Sequence, residues 1–282
     1  MSTLLPHPGG SNAAGSDDAR LALDRESAYF DSTVEEQGDF NPFTDRGWAT
    51  LARRFRQMVP LAGPLAVLDV GCGTGQSRRL YADRCRRYLG VDLSAAALRR
   101  ASARFPSSAW IRGDASRLPL ADGQFDVVAF SSVLHHIDDF RPTLREALRV
   151  LRAGGYAFAF DPNLLHPAMA LFRHPLSLLY TAKGVSPNER PLLPARLDEA
   201  FRAAGFADIR QRCQANIAYR VVAPKLINGL LGVYNICDRL LELSGLSRWL
   251  GTFVITVGRK AGPGSPDLST REVLQTFGYD AS

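Results

Sequence analysis

The chain has 282 residues, 46% apolar and 22% charged, enough for a sizeable buried core and too apolar for a disordered polyelectrolyte. Its net charge of +6 is spread without a basic block, so no DNA partner is expected and RNA is disfavoured. Four cysteines (Cys72, Cys85, Cys213, Cys237) without a Cys-x-x-Cys pair argue against a disulfide scaffold and a structural zinc site, and no metal is expected.

Residues 1–19 are rich in Ser, Gly, Asp and Pro, lack the basic start and apolar core of a signal peptide, and read as a disordered tail. Residues 20–62 form an N-terminal helical cap, where Trp48, Leu51, Phe55 and Met58 recur at i, i+3, i+7 and i+10. From residue 63 short apolar runs alternate with helical stretches. Strands are predicted at 65–70, 88–92, 109–112, 125–130 and 156–160. The helices between them are expected over 76–86, from the Ser94 cap to about Arg104 before Pro106, and from Asp138 or Asp139 to Leu151, closed by Gly154 and Gly155. This is a doubly wound α/β sheet, with ligand chemistry at the carboxyl ends of its strands.

Two inserts interrupt the later part. Residues 162–195 hold six prolines and read as an irregular apolar cap. In the second insert, 221–250, a helix is expected over 224–243. Ile227, Leu230, Leu231, Tyr234, Cys237 and Leu241 share one face of it, with Asp238, Arg239 and Glu242 elsewhere. The charge-free apolar stretch 226–237 is well short of the roughly 20 residues of a bilayer span, so the chain reads as soluble and cytoplasmic. Residues 261–282 return to a Pro/Gly/Ser-rich tail.

The first strand runs into Gly71-Cys-Gly73-Thr-Gly75. Alternate glycines let the backbone turn tightly and approach a ligand without Cβ interference, and a following helix would aim free N–H groups at an anion. The spacing is Gly-x-Gly-x-Gly with Gln76 in the sixth place, not the Gly-x-Gly-x-x-Gly of a pyrophosphate-binding turn. A nucleoside ligand without pyrophosphate suits it. Asp92 closes the second strand, where a carboxylate can accept from two ribose hydroxyls, and Asp114 ends the third, where one can accept from an exocyclic amine.

With the 125–130 strand, these residues resemble the class I S-adenosylmethionine-dependent methyltransferase family, in particular the small-molecule type that includes quinone and sterol methyltransferases. The resemblance spans about 44–260 and implies that strands near 206–212 and 253–258 complete a seven-stranded, mostly parallel, Rossmann-like sheet with the last strand antiparallel. It places the cofactor-binding methyltransferase domain at 63–260, with the helical inserts as caps. It implies that S-adenosylmethionine is the cofactor, its methionine part lined by Gly71, Cys72, Gly73 and Gly75. Asp69 would help anchor the amino group, Asp92 hold the ribose, Leu93 lie against adenine, and Asp114 with Ala115 read it. Ser131 opens the segment facing the methyl group.

That segment continues to His135 and His136 and lacks the Asn/Asp-Pro-Pro-aromatic sequence found in methyltransferases acting on nucleic-acid or glutamine nitrogens. One of the two histidines, at most, is expected as a base removing a hydroxyl proton. Tyr29, Phe30, Phe43 and Trp48 are candidates either to roof the cleft or to form ordinary core. Two apolar inserts over one cleft point to a small, apolar or amphipathic acceptor such as a lipid, isoprenoid, polyketide or lipid-linked sugar. Lys225, Arg239 and Arg248 flank the second helix and would permit weak membrane-surface contact. The alternatives are a non-catalytic, partner-activating methyltransferase-like protein and an RNA methyltransferase using Arg78, Arg79, Arg84, Arg86 and Arg87. The oligomeric state is open.

Overall fold

A computed structural model of the chain describes residues 12–38, 41–174, 176–180, 186, 188–220, 229 and 231–262. Its centre is one seven-stranded sheet: β1 (Leu65–Val70), β2 (Cys85–Asp92), β3 (Ala109–Arg112), β4 (Phe125–Ser131), β5 (Leu151–Pro162), β6 (Ala207–Gln214) and β7 (Phe253–Arg259). The strand order is β3-β2-β1-β4-β5-β7-β6, and β7 runs antiparallel to both of its neighbours. This is the mostly parallel, doubly wound arrangement expected. The order reverses between β1 and β4, so the loops leaving those strands diverge and open a crevice at their carboxyl ends.

Every residue of β1 is buried, as befits an apolar strand with parallel neighbours on both sides and a core on each face. On one face Leu68, Val70, Phe130, Leu144 and Phe201 pack together. On the other, α2 (Asp45–Met58) supplies Trp48, Leu51, Phe55 and Met58, its start capped by Thr44 accepting from the Gly47 N–H. Phe55 meets Tyr81 and Phe158 edge-on, at 4.9 and 5.2 Å between centroids. Phe43 and Trp48 are therefore core, buried with Phe160 and Phe253.

Several elements differ from expectation. Helix α1 (Asn12–Gln37) begins inside the stretch read as a tail; residues 1–11 and 263–282 lie outside the described residues. In place of a helix over 76–86 there is a 3-10 segment, Gln76–Leu80, and β2 already starts at Cys85. The buried Leu80 and Tyr81 anchor this short connection, and Leu65 pairs with Cys85, leaving no room for further helical turns. Gly154 and Gly155 do not end a helix: α4 (Arg141–Val150) stops earlier and β5 takes over at Leu151. A Cβ on Gly155 would come within 3.0 Å of the Asp126 carbonyl, so close strand approach explains that glycine. The remaining helices are α3 (Ala95–Arg104), α5 (Pro167–Arg173), α6 (Pro194–Ala204), α7 (Leu231–Leu243) and α8 (Ser247–Leu250). Among the described residues, no helix is long and apolar enough to cross a membrane.

Helix α7 keeps part of its predicted face: Leu231 and Tyr234 pack against the core. Cys237 is exposed instead, whereas Asp238, expected elsewhere, is 1% exposed and accepts from Ile217 N (3.1 Å) and Thr252 Oγ1 (2.8 Å). Asn235 beside it exchanges hydrogen bonds with the Tyr219 backbone. The helix docks through these polar contacts to the loop after β6, a partner its own periodicity could not reveal. Lys225, Ile227 and Leu230 lie outside the described residues.

Candidate functional site

The turn after β1 is held in a left-handed course, with Gly71 at φ +69° and Gly73 at φ +51°. A Cβ on Gly71 would come within 2.2 Å of Val133, so the loop and the segment after β4 are in close contact. At Gly73 a Cβ would meet nothing, leaving backbone that a ligand can approach. The Gly71 and Cys72 N–H groups both donate to the Val91 carbonyl, and the Cys72 thiol lies beside Gly90, so this residue offers its backbone to the loop.

The three strand-end aspartates stand on adjacent strands but in different states. Asp92 keeps a partly exposed edge. Its oxygens accept from Gly73 N (2.8 Å) and Ser94 N (2.9 Å), and burial of the remainder raises its pKa against those two bonds. Asp69 is closed off beneath the loop: it accepts from Ser77, Tyr88 (2.6 Å) and Ser131 (3.0 Å), tying β1 to its neighbours. Burial pushes its pKa up to about 6, against the pull of the three hydroxyl donors. Asp114 shapes its own turn, accepting from Ser116 N (2.8 Å) and Ser116 Oγ (2.7 Å), while Ala115 packs against the core. The Leu93 carbonyl accepts from Ser27 Oγ and Arg112 Nε.

Beyond β4, Ser132 has φ +62°, a costly conformation for a side-chain-bearing residue. A single 3-10 turn, Leu134–His136, then carries both histidines. Their ring centroids are 4.0 Å apart, but their partners differ. The Asp161 Oδ1 lies 2.9 Å from His135 Nδ1 and accepts the His135 backbone N–H at 3.2 Å. With Asp161 ionised both of its oxygens can only accept, so the ring then donates from Nδ1 and keeps its lone pair on Nε2. The second Asp161 oxygen is buried without a hydrogen-bond partner. Burial raises Asp161 to about 7 and lowers His135 to about 3. His136 instead meets Ser186 Oγ (2.7 Å), Glu26 Oε1 (3.2 Å) and, edge-on, the ring of Phe30 (5.1 Å).

Several participants carried no readable signal in the sequence. Asp161 closes β5, and its partner is 26 residues away. Helix α1 bridges the loops on either side of the crevice. Asp31 accepts from Ser94 Oγ (2.6 Å) and Ala96 N (2.9 Å) at the start of α3, while Glu26 bonds Ser186 and His136. Trp110 fills the space beside Gly75 and Gly90 and meets Tyr88 at 5.5 Å. Only proximity in the folded chain reveals these roles. Among the described residues no cluster of His, Cys, Asp or Glu has metal-holding geometry.

Residues 68–159 match the methyltransferase domain family. Over 221 residues the chain is 30% identical to a demethylmenaquinone methyltransferase of Renibacterium salmoninarum, a match covering 75% of this chain and 92% of that protein. The chain belongs to the class I S-adenosylmethionine-dependent methyltransferase family. Within that family it is of the small-molecule type. Among solved structures, one from the complex of the Haloferax volcanii Trm112 methyltransferase activator with a methyltransferase has TM-score 0.59 at 21% identity, covering 85% of this chain and 97% of that one. Haemonchus contortus phosphoethanolamine N-methyltransferase 2, solved with S-adenosylmethionine, has TM-score 0.57 at 17% identity, covering 86% of this chain and 60% of that one. At such identities these two likenesses concern the fold.

The cofactor of this methyltransferase is S-adenosylmethionine. The residues present fit it: open space at Gly73 adjoins the partly exposed Asp92 carboxylate, at the switch in strand order.

Proposed function

We propose that this methyltransferase modifies a small apolar acceptor through an acidic hydroxyl, with His135 as the base and Asp161 as its positioning partner. The observation that carries the reading is the buried His135–Asp161 pair beside the tips of β4 and β5, with an Nε2 lone pair left free by the Nδ1 bond. Glycines 71, 73 and 75 with Cys72 would cradle the methionine part of the cofactor, Asp92 its ribose, and Leu93, Asp114 and Ala115 its adenine. Asp69 and Ser131 would hold the loop rigid from beneath. When bound, S-adenosylmethionine supplies an electrophilic methyl group on a positively charged sulfur.

His135 then takes the acceptor's hydroxyl proton at Nε2; burial opposes the charged ring, and the Asp161 carboxylate against it offsets that cost only while ionised. In a hydroquinone the released electron pair spreads onto ring carbon, so one base serves methylation at oxygen or carbon. His136 is occupied with Glu26 and Ser186, which supports a closing role over the crevice and leaves the proton to His135. The Renibacterium relative is named for a quinone acceptor, which supports the same chemical class.

The test is transfer of labelled methyl from S-adenosylmethionine to a panel holding a prenylated naphthohydroquinone, a fatty acid, a lipid-linked sugar, a polar amine and total RNA. Label in the hydroquinone or another apolar hydroxyl compound is expected. Label confined to RNA or to a polar amine would overturn the proposal.

A further inference from the structure

We propose that the outer faces of the two inserts dock this methyltransferase on an anionic lipid surface. A surface helix ordinarily buries its apolar stripe and shows its polar one. Helix α7 buries polar side chains beside Leu231 and Tyr234 and leaves a second apolar stripe outside. Asn235, Asp238 and Glu242 face the protein, while Val233, Ile236, Leu240 and Leu243 lie on the opposite side and face outward. The stripe continues through Leu246 and Trp249 at α8, where Leu243 is 72% and Trp249 51% exposed. Spacings of three and four residues keep these positions within less than half the helix circumference.

The first insert adds Leu176, Leu178 and Leu179, all exposed. The two inserts adjoin: the His166 and Tyr234 rings are 5.8 Å apart, and Asn163 donates to the Trp249 carbonyl at 3.0 Å. Both rise from one rim, since Pro162 at the end of β5 pairs with Phe253 at the start of β7. Asp161 occupies that rim, so a lipid surface covering the inserts lies over the same end of the sheet as the reacting groups.

Charge selects the occupant. The first insert, 162–195, holds a single acid, Glu189, which is not exposed. In 231–250 the two acids are withdrawn: Asp238 is buried, and Glu242 pairs with Arg54 at 3.4 Å. Arg239 and Arg248 are exposed, and the Arg248 guanidinium lies 3.6 Å from the Trp249 ring centroid. An apolar stripe edged by cations, with a tryptophan at the boundary, matches an anionic bilayer interface.

The test is flotation of the full chain with vesicles of phosphatidylglycerol and phosphatidylcholine, and with phosphatidylcholine alone. The comparison variant carries Val233→Ser, Ile236→Ser and Leu240→Ser; circular dichroism and cofactor titration check that it keeps its fold. Wild type should partition at least ten-fold more strongly than the variant into anionic vesicles, and more weakly into neutral ones. Brominated lipid should quench Trp249, by comparison with Trp249→Phe. Equal partitioning of the two proteins overturns the proposal. So does a wild-type dimer in light scattering that the variant dissociates while neither binds vesicles, because the face is then a subunit interface. No acceptor is present in these vesicles, so failure here is distinguishable from failure of the reaction proposed above.

Discussion

Replacing Asp161 by Asn keeps the size of the side chain and removes its charge. The amide oxygen can still accept from His135, whose ring and backbone nitrogens lie 2.9 and 3.2 Å from Oδ1 in the native protein. What is lost is the field that stabilises the imidazolium once His135 has taken a proton. Two unit charges about 4 Å apart interact by about 4 kcal/mol at an effective dielectric constant of about 20, and the amide dipole recovers part of this. A loss of about 3 kcal/mol remains, or about two decades in kcat. The cofactor dissociation constant should stay within about a factor of two, which separates a catalytic defect from a folding one. Burial sets Asp161 near 7, so native kcat should fall as pH drops through about 7 and the carboxylate takes up its proton. The variant should lack that limb. Single-turnover methyl transfer between pH 5.5 and 8.5 reads both effects, and a variant within threefold of native kcat with the same acid limb refutes the assignment.

Asp92→Ala should weaken cofactor binding by about 1–3 kcal/mol through loss of charge-assisted bonds, and superimposable calorimetric titrations of variant and native protein would discredit the ribose role. Asp69 binds its proton more tightly folded than unfolded, so its contribution to stability is complete below about pH 4 and is lost as pH rises through about 6. The stability of native protein relative to Asp69→Asn should therefore decline over that window and then level off; urea melts showing a constant difference from pH 4 to 7.5 would contradict it.

Much of the sheet was legible because parallel strands buried on both faces leave continuous apolar runs. The 65–70 and 125–130 runs became β1 and β4, and the alternate glycines marked the turn between strand and cofactor crevice. The Ser94 cap was equally local, since its hydroxyl reaches an amide three residues on. Such features are decided by neighbours along the chain, and the sequence carries them openly.

The tertiary structure decided everything that depends on distant partners. It joined His135 to Asp161, brought Glu26 and Asp31 of α1 across the crevice, and shortened the 76–86 helix because Cys85 had to meet Leu65. It also drew Asp238 of α7 inside and left Cys237 outside, because Asp238 and Asn235 found donors in the loop after β6 that helical periodicity does not encode. Periodicity reports which residues share a face. Which face is buried depends on the hydrogen bonds and apolar surface that the rest of the fold brings against it, and those contacts exist only once the chain has closed on itself.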